Sequence, residues 1–155
     1  MTRPLPRSAG RVLLIDSGAH VLMLEHRTDP ATTETVWAAP GGGCEAGETP
    51  AQAACRELRE ECGIDLRLPR NRPPDHTERR RWHVGEIAYD QTDHFFIVRA
   101  TGRPRVIAEY PKPLGGESVL GHRWFSASDL RTCAARYEPA ELCALLAGLP
   151  RGGRE

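Results

Sequence analysis

The stretch from Thr49 to Ile64 constrains this chain more than any other. Thr49 is a good helix N-cap, Pro50 occupies the first helical position, and Gln52 completes a T-x-x-Q capping box. Gly63 supplies the stop at the other end. Between them Ala51, Ala54, Cys55, Leu58 and Cys62 recur at intervals of three and four, which makes one apolar stripe. The pattern predicts a helix over 50–62 with one face on a core.

The opposite face of that helix has a charge problem. It ends Arg56-Glu57-Leu58-Arg59-Glu60-Glu61-Cys62. At 3.6 residues per turn, Glu60 and Glu61 lie about 60° and 40° to either side of Glu57, so three carboxylates crowd one arc. They repel one another, and the negative end of the helix dipole makes the placement worse. Arg56 and Arg59 offset part of this cost. A divalent cation would relieve the rest, and hard oxygen ligands suit Mg²⁺ or Mn²⁺. Taken alone, the helix is equally well read as a solvated Glu/Arg face.

The residues ahead of the helix separate the two readings. Gly42-x5-Glu48-x7-Arg56-Glu57-Leu58-x-Glu60-Glu61-x-Gly63-Ile64 resembles the Nudix box at every specified position. A chance match of this kind anywhere in the chain is on the order of 10⁻⁷. Trp37-x-x-Pro40-Gly41-Gly42-Gly43 looks like the strand and turn entering that family's loop–helix–loop. Arg123-Trp124-Phe125-Ser126 with Asp129-Leu130 looks like its closing strand and helix start. The resemblance implies an α+β fold, an α/β/α sandwich with a mixed β-sheet. It also implies that Glu57, Glu60 and Glu61 are the metal-binding and catalytic carboxylates. Glu48 and Arg56 resemble the pair that braces the loop, with Gly42, Gly43 and Arg56 near substrate. Family members often carry a further acidic residue just before the closing strand. Glu117, in Gly115-Gly116-Glu117-Ser118, is the candidate for that catalytic role, with Glu109 second.

The implied activity is cleavage of the phosphoanhydride of a nucleoside diphosphate linked to another group. The products are a nucleoside monophosphate and a phosphorylated remainder, with Mg²⁺ or Mn²⁺ as cofactor. The box does not read base or sugar, so nucleoside triphosphates, nucleotide sugars, dinucleoside polyphosphates and coenzymes all stay open. The alternative is a catalytically silent, Nudix-like nucleotide-sensing module. Such a module is expected to lose box glutamates, and none is lost here.

Composition excludes other classes. Lys plus Arg and Asp plus Glu both total 21, so net charge is zero. No broad basic field exists to draw extended nucleic acid or an anionic membrane. The five cysteines form no CxxC pair, which argues against a zinc site or a disulfide framework and for reduced thiols. With no signal-peptide-like run at the start, the expected location is cytoplasmic. The expected partner is a nucleotide-type small molecule, and the resemblance admits a homodimer.

Length fits one domain, expected over 10–149, with flexible tails at 1–9 and 150–155. Apolar runs at 11–15 and 20–24 flank Asp16-Ser17-Gly18-Ala19 and predict a hairpin. Short strands are expected at 36–39, 81–89, 94–100 and 121–125, with a polar, Pro-rich loop at 69–78. Helical turns are expected at 129–130 and 138–147. Gly41–Gly43 can admit phosphate to backbone N–H groups or simply make a tight turn. Arg79-Arg80-Arg81 reads as a solvated strand edge more readily than a phosphate grip. Trp82, Tyr89, Phe95 and Phe96 are candidates to stack a base, with at least one of the two phenylalanines in the core.

Overall fold

The computed structural model of the protein describes residues 2–27, 31, 33–107 and 119–149. These form β1 (Leu5–Ile15), β2 (Val21–Arg27), β3 (Thr35–Ala38), β4 (Gly41–Gly43), α1 (Pro50–Cys62), β5 (His76–Val84), β6 (Ile87–Arg99), β7 (Val119–Phe125), α2 (Ala127–Thr132), β8 (Arg136–Glu138) and α3 (Leu142–Ala147). The chain condenses into two compact units, and β1 contributes to both.

The first unit holds the chain up to Leu13, Pro40–Val98 and residues 106–107 of the described chain. Its strands run in the order β5, β6, β1, with β4 also on β1. The β1–β4 pair is antiparallel, with Ala9 opposite Gly43 and Arg11 opposite Gly41. The β5–β6 pair is a long hairpin from His76 opposite Phe95 to Val84 opposite Ile87. Helix α1 packs on this sheet at Gly10, where a Cβ would run into the Pro50 carbonyl. Only glycine lets the helix backbone come so close. Of the expected apolar stripe, Ala51, Ala54, Leu58 and Cys62 are buried and Cys55 is half-buried.

The second unit holds Leu14–Ala39, Arg99–Arg105 and the described residues from Val119 onward. Val21-Leu22-Met23-Leu24 of β2 are all fully buried, as expected of a continuous apolar run inside a sheet. Strand β2 pairs antiparallel with β3 and β7, while β3 pairs parallel with β8, so the sheet is mixed. Trp37 meets Phe125 edge-on at 5.0 Å between ring centroids. Helix α2 starts at Ser126, whose capping box with Asp129 is complete.

Several expected boundaries shift. Residues 5–9 are strand rather than tail, and Ala9 is fully buried. The strand expected over 81–89 spans a turn: Gly85, at φ 57, reverses the chain between Val84 and Ile87. Strand β5 starts earlier, at His76, inside the expected loop. The rest of that loop is anchored, with the Thr49 hydroxyl donating to the Arg70 carbonyl at 2.6 Å and Arg72 to the Ile97 carbonyl at 2.9 Å. The helix expected over 138–147 is shorter, because β8 takes Arg136–Glu138 before α3. Among the described residues no helix is long and apolar enough to cross a membrane.

The hairpin turn of the second unit is held by one buried carboxylate. Asp16 accepts from the backbone N–H of Gly18 (2.9 Å) and His20 (2.8 Å), and from the Arg103 guanidinium (2.7 Å). These contacts hold Ala19 at φ 62, an uncommon conformation for a residue with a side chain. Burial pushes the Asp16 carboxyl up, but the His20 N–H, Arg103 and the charges of both residues outweigh it. Its pKa therefore lies below the ordinary range. The folded state binds this proton more weakly than the unfolded chain. The stabilisation is thus full above the ordinary carboxylate range and is lost as pH falls through and below it. Asp16→Ala is expected to cost about 2–3 kcal/mol, since three donors lose one acceptor. Urea denaturation at pH 7 and pH 3 checks this, and the gap between wild type and variant should narrow at the lower pH.

Candidate active site

The site begins at the ends of α1. The Gln52 N–H donates to the Thr49 hydroxyl, and the Gln52 side-chain oxygen accepts from the Thr49 N–H. Gly63 ends the helix at φ 66 and donates its N–H to the Arg59 carbonyl at 2.9 Å. The register so fixed turns Glu57 and Glu61, one helical turn apart, toward β4. A Cβ at Gly42 would stand 2.6 Å from Glu57 Oε1. The Gly41 N–H donates to Glu61 Oε2 at 3.2 Å. Glu60 lies further out, its side chain 52% exposed.

Arg56 ties these groups together. Its Nε and Nη2 form a fork to both oxygens of Glu48, each at 2.9 Å. Nη2 also donates to the Gly43 carbonyl at 3.0 Å, while Nη1 reaches Glu57 at 2.9 Å and Glu60 at 3.3 Å. Glu45 stands 3.8 Å from Nε. The hydrogen bond from Arg56 holds the Glu48 carboxyl below its ordinary range, against the opposing effect of burial. The same bond to Glu48 raises the Arg56 pKa, so the guanidinium stays charged.

One guanidinium therefore faces Glu45, Glu48, Glu57 and Glu60, while Glu61 accepts from the Gly41 N–H. Arg59 pairs instead with Asp65, at 3.4 Å. This gathering of hard oxygen donors, with the Glu57 carboxylate seated against Gly42, fits a divalent cation. The carboxylates expected to hold one are Glu57, Glu60 and Glu61.

Other expected site residues fall elsewhere. Glu117 and Glu109 lie outside the described residues. Gly42 borders Glu57, but a Cβ at Gly43 would meet the Arg7 guanidinium, so the space at Gly43 is already used. Arg79 pairs with Asp90 at 2.7 Å, and Arg80 with Asp93 at 3.1 Å. Phe95 and Phe96 are both buried and cannot stack a base. Trp82 and Tyr89 stack on each other at 4.5 Å, which leaves that face of each ring occupied. Sequence reasoning missed Arg7, set aside with the tail, and the buried pair of Arg11 and Asp93. A period-two reading of Tyr89, Gln91 and Asp93 along one strand would have exposed part of this row.

A family model described as the NUDIX domain matches residues 4–144. An RNA pyrophosphohydrolase of Mesorhizobium japonicum is 35% identical over 98 residues, which covers 60% of this chain and 51% of that protein. The chain thus spans about half the length of the curated relatives it matches. The solution structure of the ORF135 protein of E. coli superposes with a TM-score of 0.61 at 21% identity, covering 93% of this chain and 88% of that one. The Ap4A hydrolase of C. elegans gives 0.61 at 18% identity, covering 91% and 93%. At such identities the likeness shows the fold, an α+β arrangement around a mixed sheet.

The fork on Glu48 requires a planar guanidinium. Arg56→Lys keeps the charge but can make only part of the set, and it should destabilise the fold by about 1–2 kcal/mol. The urea midpoint measures this. A midpoint unchanged from wild type means that the brace is dispensable.

Proposed function

Because the chain belongs to the NUDIX family, we propose that it is a pyrophosphohydrolase requiring Mg²⁺ or Mn²⁺. It cleaves the phosphoanhydride of a nucleoside diphosphate linked to another group and releases a nucleoside monophosphate and a phosphorylated product. The observation that carries this reading is the meeting of Glu57 and Glu61 with the backbone of Gly41 and Gly42. It gathers carboxylates beside a strand without side chains, where a diphosphate can approach.

A divalent cation, when bound, neutralises the diphosphate and acidifies water for in-line attack on phosphorus. Glu57, Glu60 and Glu61 would hold it. Arg56, already shared among several glutamates, keeps Glu57 in place rather than meeting substrate first. A carboxylate of this cluster takes the proton as the P–O bond forms. The bridging oxygen then leaves with the phosphorylated half. Glu117 remains the candidate for an additional carboxylate. The rival reading, a nucleotide-sensing module without turnover, gives no reason to keep all three glutamates, whose repulsion costs stability when no cation is present.

The test begins with a hydrolysis screen of nucleoside triphosphates, nucleotide sugars, dinucleoside polyphosphates, coenzymes and 5′-triphosphorylated RNA, each with Mg²⁺ and Mn²⁺. On any substrate turned over, Glu57→Gln and Glu61→Gln should lower kcat by roughly 10²-fold or more. Without metal both variants should be at least as stable as wild type, because like-charge repulsion is relieved. Mg²⁺ should raise the wild-type Tm by mass action, and raise it less in the variants. Near-wild-type turnover of both variants at saturating Mg²⁺ would remove the assignment.

A further inference from the structure

Helix α1 carries a second functional face beside its carboxylates. Going round the helix at about 100° per residue, Glu57 and Glu60 are followed by Arg56, Arg59 and Cys55 in steps of about 40–60°. Cys55, Arg56 and Arg59 form one wall of a groove, and Asp65, Leu66 and Arg67 of the irregular segment 63–69 form the other. Arg56 belongs to both faces. It lines the groove, and its Nη1 donates to Glu57 at 2.9 Å and to Glu60 at 3.3 Å. The groove therefore adjoins the carboxylate cluster with one shared residue at the boundary.

The segment opposite the helix is fastened in place. The Leu68 backbone N–H donates to the Cys55 sulfur. Beyond it, the Thr49 hydroxyl donates to the Arg70 carbonyl at 2.6 Å and Arg72 to the Ile97 carbonyl at 2.9 Å. Between these ties about 460 Å³ stays open. Close packing removes such spaces inside a protein, and clefts that hold small ligands measure roughly 300–1,000 Å³.

The lining holds more positive charge than its own residues use. Arg56 is taken by Glu48, Glu57 and Glu60. Arg59 gives its Nε to Asp65 at 3.4 Å and makes no other ion pair with a described residue. Arg67 is exposed and forms no ion pair with another described residue. Two guanidiniums thus share one carboxylate. Between them lie half-buried Leu66 and the thiol of Cys55, which burial keeps neutral by raising its pKa. Guanidinium groups bind phosphate through paired, charge-assisted N–H donors and also stack on aromatic faces. An uncharged lining beside them suits a base or sugar.

We propose that this groove binds a second nucleotide of the substrate, in addition to the one that carries the scissile anhydride. Arg59 and Arg67 take its phosphate, and Leu66 lies against its base or sugar. The inference rests on the proposed pyrophosphohydrolase reading and names the substrate class of the same site. That class is a compound with two nucleotides, either a dinucleoside polyphosphate or a 5′-triphosphorylated polynucleotide. A simple nucleoside triphosphate leaves the groove empty.

Calorimetric titration without metal tests this with diadenosine tetraphosphate, a 5′-triphosphorylated RNA trinucleotide and ATP. Wild type should bind at least one of the two longer probes about 10-fold more tightly than ATP. Arg67→Gln, and more so Arg59→Gln with Arg67→Gln, should remove that advantage while ATP affinity stays within about twofold. Leu66→Trp, which fills the groove without changing its charge, should do the same. Arg79→Gln, which removes an arginine paired with Asp90, should match wild type. A loss confined to diadenosine tetraphosphate assigns the groove to dinucleoside polyphosphates, and a loss confined to RNA assigns it to polynucleotides. A loss on both means that the shared nucleoside phosphate is what binds. With Mg²⁺ the double variant should raise KM for the affected probe by a similar factor, with kcat within about threefold, as for lost ground-state binding. The proposal is overturned if neither longer probe binds more tightly than ATP, or if the double variant keeps the advantage. An equal loss for ATP, or a loss that tracks a fall in Tm, overturns it as well. If wild type hydrolyses no substrate yet binds a longer probe through Arg67, the pyrophosphohydrolase reading fails and the nucleotide groove stands.

Discussion

Arg56 sits where one positive charge must serve several negative ones, and the candidate site is arranged around that shortage. Its fork to Glu48 fastens the loop ahead of α1, its bond to the Gly43 carbonyl fastens β4, and its remaining donors reach Glu57 and Glu60. Lysine could supply the charge but not the directions, because an ammonium has no planar fork. One residue thus joins strand, loop and helix and is shared among four carboxylates. A fold selected for stability alone would not keep that cluster at the negative end of a helix. The proposed cation site gives the cluster a reason to be there.

The glycines of β1 and β4 serve this arrangement in different ways. Gly10 lets α1 approach the sheet through its backbone, Gly42 leaves space beside Glu57, and Gly43 leaves space for Arg7 on the other side. Gly41, at φ 157, holds a conformation that residues with side chains rarely adopt, and its N–H reaches Glu61. A run of three glycines that looks uniform in sequence thus answers three separate steric demands. Side chains at any of them would push apart groups that the charge balance requires to be close.

How much of this could be read from sequence depended on range. Helix α1 was legible to the residue, because its caps and its stripe are local and Thr49, Gln52 and Gly63 each act within a few positions. The fork of Arg56 on Glu48, eight residues apart, was legible only through resemblance to a known motif. The Arg11 and Asp93 pair, 82 residues apart, left no local trace. Strand β5 was half hidden for another reason. Its alternation of half-buried and exposed positions runs through His76, Glu78, Arg80 and Trp82, so hydropathy does not mark the inner face. The prolines at positions 4 and 6 made the start of β1 look like a tail, although Pro is tolerated near a strand's first residues. That misreading also concealed Arg7.

In the proposed reaction this carboxylate cluster directs water to phosphorus. Turnover in ¹⁸O-labelled water, with products resolved by mass spectrometry, tests that claim most directly. One label in a phosphate product, and none in a sugar or base, is the predicted result. Label at a glycosidic carbon would mean cleavage of a C–O or C–N bond, and the phosphoanhydride account would be contradicted.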